Sequence, residues 1–156
     1  MLVRIVRSLT PEEVLKRIHA FEKHYILVFE EFEDQFLKRK RPKNLMSVYL
    51  EWADLVDAYK GYEEAGELDY IVEDLQEFNS EQLASLTPKR LELLNYLGNL
   101  HVESINELAH KIRRDVKNVY EDLLVLRKLE LVVLRRRGKR NVVPESLVEE
   151  ISFLIR

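Results

Sequence analysis

The residues best placed for chemistry lie in RRDVKNVYEDL, Arg113 to Leu123, and in RRRGKR, Arg135 to Arg140. Neither stretch carries a nucleophile–base pair or a metal-ligand spacing. Both carry the groups that meet phosphate and base edges. Arginine and lysine neutralise phosphates and can pair with guanine, and asparagine can pair bidentately with adenine. Arg113 and Arg114 precede a helical pattern that begins at Val116, with Asp115 as a candidate N-cap. The free N–H groups and dipole of a helix start favour a phosphate there. If Val116, Val119, Leu123 and Leu126 face inward, then Lys117, Asn118, Tyr120 and Glu121 face outward. Arg135, Arg136, Arg137, Lys139 and Arg140 place five cations around Gly138. Such a tip suits contact with a phosphate backbone or a minor groove.

Other chemistries lack their residues. There are no cysteines, so disulfides and thiolate metal sites are excluded. His19, His24, His101 and His110 are scattered without a zinc-type spacing, and no metal or cofactor is expected. The acidic stretch Glu63 to Glu81 lacks the ligand order of a calcium loop. No phosphate-binding loop, dinucleotide fingerprint or nucleophile elbow occurs, and no enzyme activity is expected. No apolar run reaches the roughly 20 residues of a membrane span and no signal-peptide pattern is present, so the expectation is a cytoplasmic protein without a membrane partner.

The 156 residues carry a formal net charge of −3, which hides a split. Residues 1–86 hold 11 Lys+Arg against 18 Asp+Glu, residues 87–140 hold 13 against 7, and residues 141–156 hold 1 against 3. An acidic part is therefore followed by a basic one.

The elements that must position the basic residues can be read in order. LVRIVR, Leu2 to Arg7, reads as a short edge strand. Thr10 and Pro11 start a helix, with Glu13 closing a capping box. Val14, Ile18, Phe21, Tyr25, Val28 and Phe32 then step by four and three, a heptad-like seam on one helix of roughly 30 residues. This seam is expected to dimerise the protein, although it could also pack on a second helix from about Leu45 to Tyr59 around Trp52. KRKRPK, Lys38 to Lys43, reads as a helix end. Gly61 and Gly66 bracket a break, and Leu68 to Phe78 reads as a third, acidic helix.

From Thr87 the pattern changes. Thr87 and Pro88 begin a compact helix with Leu91, Leu94 and Leu97 inward and Gly98 at its end. Ser104 and Glu107 form a capping box before Ile105, Leu108, Ala109 and Ile112. Val132 to Val143 reads as a hairpin turning at Gly138. Pro144 is expected to open a terminal helix. Helix, short helix, three-residue turn, helix and basic hairpin is the order of a winged helix-turn-helix, in which the second helix of the pair enters the major groove. Ser104 and Asp115 would then be caps near phosphate.

Three segments also resemble a known family. LTPKRLELLNYL, SINELAHKI and RRDVKNVYEDLLVLRKLELV are similar to predicted prokaryotic, archaeal-type winged helix-turn-helix transcriptional regulators of an antitoxin-like kind, over about residues 86–134. The resemblance implies DNA binding, with Arg114, Asp115, Lys117 and Asn118 at the entrance of the recognition helix. Glu130-Leu131 departs from the Gly-Leu usual in that family. Nothing in the first half carries a resemblance.

The expectation is thus a mainly α protein. Residues 1–86 form a helical region for dimerisation or partner binding, 87–143 a winged helix-turn-helix with a small β-hairpin wing, and 144–156 a C-terminal helix. The expected function is sequence-specific binding of double-stranded DNA by a dimeric transcriptional regulator. An architectural or replication and repair DNA-binding protein is one alternative. A protein–protein module, meeting the transcription machinery or an antitoxin-like partner, is another. RRRGKR could also be a solvated hairpin tip, and RRDVKNVYEDL an ordinary helix with a basic end.

Overall fold

The computed structural model describes residues 1–155. Its elements are β1 (Leu2–Ser8), α1 (Pro11–Tyr25), α2 (Phe29–Leu37), a 3-10 turn (Lys43–Leu45), α3 (Met46–Ala65), β2 (Ile71–Glu77), α4 (Ser80–Ser85), α5 (Pro88–Asn99), α6 (Ile105–Ile112), α7 (Val116–Lys128), β3 (Val132–Arg137), β4 (Asn141–Ser146) and β5 (Val148–Leu154). The protein is mainly α with two small sheets, β2-β1-β5 and the hairpin β3-β4. Among the described residues no helix is long and apolar enough to cross a membrane.

The chain divides into two compact units, though not at residue 86. One comprises Met1–Ser8 with Val72–Arg156, and the other Leu9–Ile71. The helical unit is therefore inserted between two strands of the first unit's sheet. Non-local strand pairing decides this. β1 pairs antiparallel with β5, from Leu2 opposite Leu154 to Arg7 opposite Val148, with an irregularity between Val6 and Arg7. Consequently β1 is the central strand of its sheet and not an edge strand.

Two expected helices are strands for the same reason. In Leu68 to Phe78 the positions of Ile71, Leu75 and Phe78 fit helical spacing, yet Ile71–Glu77 forms β2, with alternating exposure along the strand. Arg7 Nε on β1 donates to Asp74 Oδ2 at 3.0 Å, and Arg4 lies 3.7 Å from Glu73. The acidic residues thus find their cations on the neighbouring strand. At the C-terminal end the expected helix 144–156 is replaced by the end of β4 and by β5, position 156 lying outside the described residues. Pro144 sits in β4 opposite Leu134. A two-stranded hairpin has a free edge, where a residue without an N–H is tolerated.

The first unit closes around one core. Val3 and Ile5 of β1 meet Leu93, Leu94 and Leu97 of α5, Leu108 of α6, and Val119, Leu123 and Leu126 of α7. Leu93 takes the inward place expected for Leu91, which is exposed. α7 ends at Lys128, and after the C-cap Leu129 comes Glu130, whose φ of +62° is the left-handed conformation that glycine adopts most readily. Leu131 is buried next to it and accepts from Leu147 N–H at 3.0 Å, tying the hairpin to the start of β5.

The second unit corrects the single long helix expected from Val14 to Phe32. No 30-residue helix forms. α1 ends at Ile26, with φ +57°, and α2 starts after Val28. Ile26 and Val28 are β-branched and disfavour helix slightly, but packing is the larger cause. Phe21, Tyr25, Phe29 and Phe32 place their ring centroids 5.2, 6.0, 5.7 and 5.0 Å from that of Trp52 on α3. On one straight helix Phe21 and Phe32 would lie roughly 16 Å apart along the axis at 1.5 Å per residue. Only a break lets all four rings reach one indole. Each such pair contributes about 0.5–1.5 kcal/mol beyond its burial, which offsets the strain of a left-handed isoleucine. Of the six expected interface residues, Val14, Ile18 and Phe32 are buried within the chain, Phe21 and Tyr25 are half-buried, and Val28, at the N-cap of α2, is exposed. Val14, Ile18 and Phe32 are thus taken up inside the unit, while Phe21 and Tyr25 also border an open groove with Arg17, Ala20, His24 and Glu51. Arg41 of KRKRPK stands 5.6 Å over the Phe32 ring, so this cation is also used within the unit. α3 runs through Gly61 and stops only at Gly66, with φ +76°.

Candidate nucleic-acid interface

α6 and α7 are joined by Arg113, Arg114 and Asp115, the three residues expected. α6 starts where Ser104 Oγ accepts from Glu107 N–H at 3.0 Å. The Glu107 carboxylate accepts from Glu103 N–H at 2.8 Å, one residue earlier than a capping box would have it. That hydrogen bond, helped by Lys111, holds the Glu107 carboxyl below the usual carboxylate range. α6 closes on Arg113 in the left-handed conformation, φ +57°, with Arg114 N–H donating to Ala109 O at 3.0 Å. Asp115 then caps α7, its Oδ2 accepting from Asn118 N–H at 3.4 Å.

The two arginines of the opening pair separate. Arg113 is exposed, with no ion pair among the described residues. Arg114 donates through Nη2 to Asp122 Oδ2 at 2.6 Å, and Arg90 on α5 donates through Nε to Asp122 Oδ1 at 3.0 Å. Arg90 also reaches Ser85 O at 3.0 Å. Arg114, expected at a phosphate, is therefore held in a brace between the turn, α5 and α7. Neither Asp122 nor Arg90 stands out in the sequence as a functional residue. The available signal is that Asp122 adjoins the buried stripe of α7 at Leu123, where an acidic residue needs a partner. Its side chain is 14% exposed and both arginines are 23% exposed. Asp122→Ala is expected to destabilise the first unit by about 2 kcal/mol, because it leaves two largely buried guanidinium groups unpaired. Chemical denaturation followed by circular dichroism checks this.

The outward face of α7 carries Lys117, Asn118, Tyr120 and Glu121, all exposed as expected. Val116 joins them. Its spacing places it on the buried stripe, but it is 42% exposed, because the core closes only from Val119 onward.

The hairpin pairs Val132 with Ser146 through Arg137 with Asn141 and turns at Gly138, φ +66°. Its five cations fall into two groups. Arg135 Nε is 3.0 Å from Glu145 Oε2 on the facing strand, and Arg137 Nη1 is 3.0 Å from Glu103 Oε2 just before α6. These two shape the hairpin and moor it to α6. Arg136, Lys139 and Arg140 are exposed and make no ion pair among the described residues. Between the hairpin and the starts of α6 and α7 lies a cleft of about 220 Å³, bordered by Ile105, Asn106, Val116, Tyr120, Arg140 and Val142.

Chemically, the face combines cations without an ion pair among the described residues, an amide side chain and two capped helix starts. Among the described residues no group of three or more His, Asp or Glu side chains is placed to hold a metal ion.

Residues 85–151 match the HVO_A0114 family, a stretch that begins before α5 and ends within β5. A comparison with curated proteins gives no match to the chain.

Proposed function

We propose that α5, α6, α7 and the β3-β4 hairpin act as a winged helix-turn-helix that binds double-stranded DNA, and that the protein is a prokaryotic transcriptional regulator. The observation that carries the reading is the placement of Arg140 in the cleft beside the exposed N-terminal face of α7, with Arg136 and Lys139 exposed on the same hairpin and all three without an ion pair among the described residues. Cations that a fold leaves without carboxylate partners, next to a helix face small enough to enter a groove, suit a polyanion of regular shape. In this reading α7 lies in the major groove, Asn118 pairs with a base edge, and Lys117 and Arg113 contact the flanking phosphates. The hairpin tip follows the backbone or the adjacent minor groove. The antitoxin-like resemblance of residues 86–134 points the same way.

One α7 reads few base pairs, so two copies on paired half-sites are part of the proposal. With Val14, Ile18 and Phe32 buried inside each chain, the continuous seam is not what joins the copies in this reading.

The test is duplex binding followed by fluorescence anisotropy across a salt series, together with selection of bound duplexes from a random pool. Affinity is expected to fall by about 0.9 log units per log unit of salt for each phosphate contact. An inverted repeat with half-sites one helical turn apart is the expected selected site. Absence of duplex binding at low salt overturns the proposal. Asn118→Ala is expected to change which sequences are selected, with a penalty of about 1–3 kcal/mol on the preferred site and little effect on random DNA.

A further inference from the structure

Val116 lies outside the core, which covers α7 only from Val119 onward, and leaves an apolar side chain open to a ligand. It lies one helical turn before Tyr120, itself 45% exposed, so the two side chains stack on one face of α7. Ile105 from α6 and Val142 from β4 border the same cleft, and Arg140 stands on its rim. Apolar side chains from three elements thus share the cleft with Ser104, Asn106 and Asn141. Around it stand cations that have no ion-pair partner among the described residues: Arg140 in the rim, Arg136 and Lys139 on the same hairpin, and Lys117 next to Val116. That charge pattern selects against an apolar peptide as the occupant and in favour of a polyanion that offers an apolar group. In the major groove the C5-methyl of thymine is that group.

Resting on the DNA-binding reading above, we propose that the cleft between α7 and the hairpin receives a thymine C5-methyl, with Val116 and Tyr120 as the contacting side chains. Asn118 supplies hydrogen-bond readout, and Val116 with Tyr120 supplies methyl readout. The sites bound are then expected to require a thymine at a set distance from the Asn118 contact.

The experiment compares the duplex recovered by selection with the same duplex carrying deoxyuridine at one thymidine at a time, a change that removes only the methyl group. For the native protein, one or two positions per half-site are expected to lose about fourfold in affinity, the value of one buried methyl. Val116→Ala is expected to bind the thymidine and deoxyuridine duplexes equally while keeping the native circular dichroism, since Val116 lies outside the core. Equal binding of both duplexes by the native protein overturns the methyl readout and leaves duplex binding standing. Discrimination that survives Val116→Ala overturns the assignment to this cleft. Failure to bind any duplex at low salt overturns the DNA-binding reading itself and the methyl contact with it.

Discussion

Simultaneous replacement of Arg136, Lys139 and Arg140 by alanine is expected to weaken binding to every duplex, whatever its sequence, by on the order of a hundredfold at about 0.1 M salt. The same change is expected to flatten the dependence of log K on log salt by roughly 0.9 for each phosphate that is no longer neutralised. The expectation rests on where these side chains stand: all three are exposed, with no carboxylate partner among the described residues. Their removal therefore leaves no buried group unsatisfied, and thermal unfolding should stay unchanged. Arg135 and Arg137 provide the contrast, because Glu145 and Glu103 hold them. Alanine at either position is expected to change affinity less and to loosen the hairpin. Anisotropy titrations at four or five salt concentrations separate these outcomes. A triple variant that binds with native affinity and native salt slope removes the hairpin from the interface.

Phe32→Ala is expected to cost the helical unit about 3–5 kcal/mol. Phe32 is fully buried, its ring 5.0 Å from Trp52 and 5.1 Å from Tyr25, with Arg41 over its face. Truncation leaves a cavity lined by rigid rings, which relax into it poorly. Trp52 is the only tryptophan and belongs to this unit, so its fluorescence in a urea titration reports the helical unit by itself. A lowered midpoint in fluorescence is the expected result. A midpoint close to native would mean that the aromatic cluster does not hold α1 and α2 on α3. The variant also bears on assembly. If the seam joined two chains, Phe32→Ala would shift the protein from dimer to monomer in light scattering. Because Phe32 is fully buried within one chain, the oligomeric state is expected to be unaffected while the stability falls.

Much of the candidate interface can be read along the chain because it depends on short-range chemistry. Thr87, Ser104 and Asp115 cap α5, α6 and α7 as their side chains predict, each accepting from an N–H three residues on. Gly138 makes the hairpin turn, and the three-residue joint between α6 and α7 follows from the caps on either side. These features need only neighbours a few residues away. The role of Asp122 is not legible, because its partners, Arg90 and Arg114, come from a different helix and from the turn. The exposure of Val116 is not legible either. Periodicity places it on the apolar stripe of α7, and only the extent of the core decides that the stripe is covered from Val119 onward.

By itself, the sequence determined the helix starts, the position of the joint between α6 and α7, the basic hairpin and the segregation of positive charge into residues 87–140. Local hydrogen bonding and side-chain geometry settle these without reference to distant residues. The tertiary structure decided the rest. Leu68–Phe78 and the residues after Pro144 carry spacings that suit a helix or a strand. β1 resolves both, by pairing with β5 and by offering Arg4 and Arg7 to the acids of β2. Likewise the apolar steps from Val14 to Phe32 fit one long helix, and the convergence of their aromatic rings on Trp52 breaks it in two. Where local propensities nearly balance, the buried area and ion pairs supplied by residues far away in sequence outweigh them.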